Sequence, residues 1–369
     1  MQASEYLSYG SKGMVFTQYG SYWRTVRKWC TLHLLSASKV EEFASVRKAH
    51  LRSSVESVKK SAVAGEVVDL TRKVSELIED TMCQMIFGQA KDDGFNLRSL
   101  VDQTMHLHGL FCISDFIPYL APLDLQGIGR RLRRTSKLLD VVFEKIIDEH
   151  VQGTDPNGLK PHKDFVDMMI SMLNQPMNPH DEDQPYIIER NNVKAILLDM
   201  TAASYDTSAV VIVWAFSEIL RHPRVMIRLQ QELEDVVGRN RLVEESDLSK
   251  LLYLDMVVKE STRLHPVAPF IVPRESMEDV IVDGYFIPKK SRILVNTWSM
   301  ARDRSRRGCP GMQLALITVR LVLAQLIHCF DWELPDGMQP NELDMSEIFG
   351  LLLPRANHLL AKPTYRLLE

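Results

Sequence analysis

Cys309 stands in the run Ser305-Arg306-Arg307-Gly308-Cys309-Pro310-Gly311-Met312, directly ahead of a mostly apolar stretch, Met312 to Phe330. If that stretch is a helix, the sulfur sits at its positive end. First-turn N–H groups and the macrodipole there favour a thiolate. Gly311 lets the backbone bend close to whatever the sulfur binds, and Pro310 stiffens the turn. One reading is a haem iron held by the cysteine thiolate, which pushes electron density toward O–O cleavage. The other is a core cysteine at a helix start. The run alone leaves both open.

Three further groups carry chemistry. Glu260 and Arg263, spaced i and i+3, share one helix face and form a carboxylate–guanidinium pair, either solvated or organising buried backbone. Ala202-Ala203-Ser204-Tyr205-Asp206-Thr207-Ser208 puts an acid and hydroxyls inside an apolar helical stretch, against helix propensity. The Thr207 hydroxyl is able to bond back to a carbonyl one turn earlier and open the helix, giving a groove in which Asp206 and Thr207 relay protons. The plain alternative is a small-residue face for close packing. Trp23 and Arg27, four apart, aim an indole N–H and a guanidinium together, as suits a carboxylate. Arg274 and Arg307 are further cations of the same use.

Other signals fail. Gly127-Ile128-Gly129 has no preceding strand and no third glycine of a dinucleotide fingerprint. His106 and His108 face different ways on a helix and make a poor chelate.

These residues need elements to hold them. Helical periodicity covers Tyr22–Leu35, Lys39–Ser61, Thr71–Phe87, Gly129–Val151, Phe165–Leu173, Glu189–Arg221, Pro223–Val237, Leu252–His265 and Met312–Phe330. Short strands gather late, at Phe270–Arg274, Asp279–Val282, Tyr285–Ile287 and Arg292–Thr297, around an Asp283-Gly284 hairpin turn. A terminal pair involves Trp332–Leu334 and His358–Ala361. The expected fold is mainly α, one domain with a small β-sheet annex.

Composition narrows the class. The 369 residues are 45% hydrophobic, enough for a large core, and the net charge of −4 gives no nucleic-acid signature. Five scattered cysteines argue for a reducing compartment rather than a disulfide framework. The first twenty residues are polar and do not read as a signal peptide. Met312–Phe330 is interrupted by Gln313, Thr318, Arg320, Gln325 and His328, so it reads as a buried core helix rather than a membrane span.

Taken in order, W-x-x-x-R (Trp23, Arg27), A-S-Y-D-T-S (Ala203–Ser208), E-x-x-R (Glu260, Arg263) and R-x-C-x-G (Arg307, Cys309, Gly311) before an apolar helix resemble the cytochrome P-450 superfamily of haem-thiolate monooxygenases. Tyr22-Trp23-Arg24-Thr25-Val26-Arg27-Lys28, Asp115-Phe116-Ile117-Pro118, Leu220-Arg221-His222-Pro223 and Pro354-Arg355-Ala356-Asn357 look like a plant microsomal member. The resemblance implies the cytochrome P-450 fold and haem b (iron protoporphyrin IX), with Cys309 as axial ligand. Trp23, Arg27, Arg274 and Arg307 would hold the propionates. Asp206 and Thr207 would guide protons for dioxygen cleavage, and Glu260 and Arg263 would lock the fold behind the haem. Substrate contacts would come from Gly10–Tyr19, Phe111–Pro118, Ala202–Tyr205, Val267–Ile271 and Phe349–Leu352, and among them Phe111, Ala203, Val267, Ile271 and Leu351. The substrate would be a small lipophilic or phenolic plant metabolite. Electrons would come from NADPH through NADPH-cytochrome P-450 reductase, docking near Arg24 and Lys28, at the cytosolic face of the endoplasmic reticulum membrane.

Three departures qualify that expectation. The chain starts shortly before the W-x-x-x-R helix, so the family's membrane anchor, hinge and first strands are expected to be missing. The stretch from Arg263 to Cys309 is short. The P-E-R-F element, the meander and the front of the haem loop are absent, with the junction between Arg304 and Ser305. The phenylalanine and glycine expected seven and four residues before the cysteine are Arg302 and Ser305, which should wet the sulfur. Ser204 stands in a usual glycine position. Left without its third member, a buried Glu260–Arg263 pair would be costly. A catalytically impaired relative with weak or no haem binding is therefore the alternative.

Overall fold

Capping residues in the sequence mark the ends of several helices. The computed structural model describes residues 2–89, 97–153, 163–179, 185–300 and 309–368. Its helices are α1 (Gln2–Leu7), α2 (Ser21–His33), α3 (Ala37–Glu42), α4 (Ala44–Ala64), α5 (Leu70–Phe87), α6 (Leu97–Gly109) and α7 (Ile128–Gln152). They continue as α8 (Phe165–Ile170), α9 (Arg190–Tyr205), α10 (Thr207–Arg221), α11 (Pro223–Val237), α12 (Leu252–Leu264), α13 (Thr297–Met300) and α14 (Met312–Cys329). Asp69 opens α5 by accepting from the Arg72 N–H, and Gly88, at φ 67°, closes it in the left-handed region. Glu189 and Asn192 form a capping box at the start of α9. Pro223 occupies the tolerated first position of α11.

Two expectations are corrected. The helix expected over Lys39–Ser61 is broken at Phe43 (φ −90°, ψ 9°), whose ring is buried against that of Phe165. The helix expected over Glu189–Arg221 is two helices, parted at Asp206. Helices α1 and α6 were not anticipated.

The strands are β1 (Val68–Asp69), β2 (Arg274–Glu275), β3 (Val280–Val282), β4 (Tyr285–Ile287), β5 (Arg292–Ile293), β6 (Phe330–Glu333) and β7 (Leu360–Tyr365). Antiparallel β7 pairs with both β1 and β6, β2 pairs with β5, and β3 pairs with β4. The β3–β4 turn has positive φ at both Asp283 and Gly284, the primed geometry that suits a two-residue hairpin.

At the centre, α10 packs against α5, α9, α11, α12 and α14. Trp214 and Phe216 on α10 are nearly inaccessible. Helices α9–α10 and α14 are apolar enough to cross a membrane by length and composition, but both are mostly buried inside the protein. Several polar groups of α14 have interior partners. Gln325 accepts from the Val243 N–H and donates to the Val243 carbonyl. Arg320 donates to the Leu248 carbonyl at 2.6 Å. That satisfaction is what makes the helix tolerable in a core.

Candidate active site

Cys309 is the exposed cysteine among the five, two residues before Gly311 opens α14. Its carbonyl accepts from the Met312 N–H at 3.2 Å, a tight turn that sets the sulfur at the helix mouth. Gly311 itself has φ −85°, and a Cβ there would come only to ordinary contact, 4.0 Å, with the sulfur. The thiol alone therefore does not demand a glycine at 311.

The break at Asp206 follows from hydroxyl competition. Thr207 Oγ1 donates to the Ala203 carbonyl at 2.6 Å, Ser204 Oγ to Thr201, and Thr201 Oγ1 to Leu197. Three consecutive claims on main-chain carbonyls loosen this part of the helix. Asp206 does not stand alone there: Arg98 on α6 donates to its Oδ1 at 2.6 Å. Arg98 also lies over the Tyr205 ring, and the Tyr205 hydroxyl is 3.0 Å from Cys83 Sγ. Sequence reasoning missed Arg98, because its helix was not read.

Trp23 and Arg27 share a face of α2, with the guanidinium 5.4 Å from the indole ring centroid. They line a shallow groove with Arg24, Lys28, Thr31 and Leu32. The Trp23 N–H, however, donates to the Met14 carbonyl at 3.1 Å. It is engaged by the Gly10–Tyr19 segment rather than pointed at an external anion.

That segment is held by a residue the sequence reading did not single out. Asp199 on α9 is 5% exposed, and its Oδ2 accepts from the N–H groups of Met14 (2.5 Å) and Val15 (3.0 Å). Burial pushes its carboxyl up to about 6, against the opposing pull of the two N–H donors. A Cβ on Gly13 would lie 2.3 Å from the same oxygen, so the close approach requires glycine. Tyr22, itself bonded by Asn192 of α9, ties down the same loop through the Lys12 carbonyl.

The remaining expected substrate positions fall into separate places. Val267 and Leu351 belong to neighbouring segments, since the Leu353 N–H donates to the Val267 carbonyl at 2.8 Å. Both segments are fixed to α10. Trp214 donates to the Leu353 carbonyl and stacks on His265 at 4.1 Å, and Arg355 donates to Ser217 Oγ. Ile271 is half-buried, and its N–H is 3.4 Å from the Val295 carbonyl. Phe111 is 66% exposed and stacked on Phe116, while Ala203 is exposed at the end of α9.

Glu260 and Arg263 pair through two bonds of 2.6 and 2.7 Å, but their side chains are 56% and 38% exposed. The pair is solvated, so the cost expected of a buried pair lacking a third member does not arise. Arg274 is exposed and opens β2. Arg307 and the neighbours Arg302, Arg304, Ser305 and Arg306 lie outside the described residues.

Comparison with known proteins follows the same order of parts. The family described as Cytochrome P450 matches residues 3–305 and 306–361. A cytochrome P450 of Panax ginseng, CYP736A12, is 46% identical over all of this chain and 80% of its own length. That alignment spans 401 positions against 369 residues here, so the relative carries residues this chain lacks. The two-part family match meets next to the junction inferred between Arg304 and Ser305. The 3,9-dihydroxypterocarpan 6A-monooxygenase of Glycine max is 34% identical, covering 98% of this chain and 78% of the relative. The solved structure of a zebrafish cytochrome P450 with progesterone aligns at TM-score 0.79 and 20% identity, over 99% of this chain and 87% of that one. The chain therefore belongs to the cytochrome P450 family, whose plant relatives are haem monooxygenases.

Proposed function

We propose that the chain is one partial cytochrome P450 domain that inserts one atom of O2 into a small lipophilic or phenolic plant metabolite. Electrons come from NADPH through a separate reductase at the cytosolic face of the endoplasmic reticulum. The observation that carries the reading is the exposed Cys309 thiol at the head of α14, a helix packed on the same α10 that begins at Asp206–Thr207. The Glycine max relative, named for a dihydroxylated substrate, supports the phenolic class.

The donor chemistry fits a haem. An accessible sulfur at a helix N-terminus suits a thiolate ligand, and Arg27 and Arg274 supply cations for propionates. Trp23 joins them once its N–H leaves the Met14 carbonyl. Bound haem supplies dioxygen activation. This chain's own residues do the rest. Thr207 spends its proton on the Ala203 carbonyl and keeps oxygen lone pairs for a water. Asp206, held on one oxygen by Arg98, offers the other for proton transfer. Asp199 fixes the Gly10–Tyr19 segment, and the Val267 and Leu351 segments form a second wall tied to α10.

The impaired reading keeps specific support. The Trp23 N–H is engaged elsewhere, and Glu260–Arg263 lies in solvent. The reduced carbon-monoxide difference spectrum of the chain expressed with haem supply decides between them. A strongly red-shifted Soret band, lost in Cys309→Ser, supports the enzyme. A band like that of histidine-ligated haem, or none, supports the impaired relative.

A further inference from the structure

The β3–β4 hairpin leaves both of its faces uncovered. Side chains alternate along each strand, so Ile281 and Phe286 sit opposite each other on one face. Val282 opposes Tyr285, and Val280 opposes Ile287, on the other. Ile281 and Phe286 are 69% and 64% exposed, and Tyr285 is 77% exposed. A hairpin of three-residue strands is at best marginal in water by itself, and an apolar one is a template for a further strand. Its base is nonetheless held firmly, for the Lys289 N–H donates to Asp279 Oδ1 at 2.7 Å and the Lys290 N–H to the Ser276 carbonyl at 2.9 Å.

The turn decides which main-chain groups face outward. Val282 and Tyr285 flank the two-residue turn and bond each other, as do Val280 and Ile287 one repeat further on. The N–H and carbonyl groups of Ile281 and Phe286 therefore point away from the hairpin. The sheet has only these two strands, so both outer edges are open.

Charge tells the two edges apart. Two copies of β3 paired antiparallel about Ile281 set Asp279 against the partner's Asp283, acid against acid, which is unfavourable. Two copies of β4 paired antiparallel about Phe286 bring Asp283, at the tip of one hairpin, to the partner's Lys289 and the partner's Lys290 at the base of the other. Symmetry makes that contact twice. The same register aligns apolar side chains across four strands. Ile281, Phe286, the partner's Phe286 and the partner's Ile281 form one row. Val282, Tyr285, the partner's Ile287 and the partner's Val280 form a row on the opposite face.

We propose that the free edge of β4 docks a second copy of this chain, giving a two-fold dimer with one four-stranded sheet. An anionic lipid surface is the poorer match, because Glu278, Asp279 and Asp283 give the hairpin exposed acids. Pro288 has no N–H and ends the ladder, so the interface is short and the dimer weak. The outer β3 edges keep their acids, and assembly closes at two copies. The surface uses no residue assigned to the haem and stands whether or not the chain binds it.

The test is sedimentation velocity of the full chain over a concentration series. The expected result is monomer–dimer exchange, weakened roughly 10-fold or more by Phe286→Lys, which places like charges across the two-fold. Lys289→Glu and Asp283→Lys should each weaken it too, and an equimolar mixture of those two variants should restore it, because both cross-pairs are then unlike. That recovery guards against a variant that merely unfolds. In a Cys309→Ser chain, Phe286→Cys should form an interchain disulfide on mild oxidation and Val280→Cys should not. A monomer at every concentration, a dimer indifferent to Phe286→Lys, or no recovery in the mixture would each overturn the proposal. So would a monomer that floats with phosphatidylcholine vesicles and loses that binding in Phe286→Lys, which would assign the hairpin to lipid.

Discussion

Arg98 Nη2 donates to Asp206 Oδ1 at 2.6 Å, joining the first turn of α6 to the residue at which α9 gives way to α10. Both side chains are only about a quarter exposed, at 27% and 28%. Such a pair is screened less than a surface one but keeps some solvent. Urea unfolding of Arg98→Ala, Asp206→Asn and the double variant should give a coupling energy of about 1 kcal/mol. Additive effects would mean the pair contributes nothing to the break it spans.

Asp199 makes stability depend on pH in an unusual sense for a carboxylate. Its folded value, about 6, lies above the ordinary 3.8 because burial outweighs two N–H donors. The folded state thus prefers the protonated form. The contribution is fully present below the unfolded value and is lost as pH rises through about 6. Relative to Asp199→Asn, wild type should gain about 1 kcal/mol in unfolding free energy between pH 7 and pH 5. Parallel pH profiles for the two proteins would sink the assignment. In Asp199→Ala, exchange of the Met14 and Val15 amides should quicken at least tenfold, because both lose their acceptor.

Some of the local geometry was legible from residues alone, for nearest-neighbour reasons. Thr207 bonding back to Ala203 is a one-turn effect, and Cys309 ahead of an apolar helix is a nearest-neighbour pattern. Residues acting across the fold were not legible. Asp199 sat unremarked inside an apolar helix because its partners, Met14 and Val15, are some 185 positions away. Arg98 was hidden because α6 mixes His106, His108 and Gln103 into its apolar spacing. In the structure Leu100, Val101, Thr104, Leu107 and His108 nevertheless form its buried face. The solvated state of Glu260–Arg263 was left open by its spacing, since i, i+3 geometry brings the groups together in either environment.

Accessibility sets the reactivity of the thiols. Cys30, Cys83, Cys112 and Cys329 are buried and Cys309 is exposed. Burial drives the Cys30 thiol well above its ordinary range and pushes Cys329 up to about 12. Under native conditions near pH 7, a maleimide should therefore label one thiol per chain, and Cys309→Ser should abolish the labelling. Haem loading should protect the same thiol if the proposed ligation holds. Rapid labelling of a second cysteine would contradict the packing of α2, α5 or α14, or the burial of Cys112 after α6.

Arg355 and the Glu260–Arg263 pair test whether fold stability rests on the interior hub or on the surface pair. The Arg355 side chain is nearly buried and donates to Ser217 Oγ and the Asp344 carbonyl, each at 2.7 Å. Its guanidinium also lies 5.7 Å from the Trp214 ring centroid. Removing it deprives the buried Ser217 hydroxyl and the Asp344 carbonyl of their donor, at a cost of about 1–3 kcal/mol. Glu260, by contrast, bonds an arginine already in solvent, and Arg263 holds its carboxyl below the usual range without burying it. Glu260→Ala should leave the urea midpoint close to wild type, while Arg355→Ala lowers it clearly. The reverse order would place the structural lock on α12, and would mean that Glu260 and Arg263 turn inward in solution.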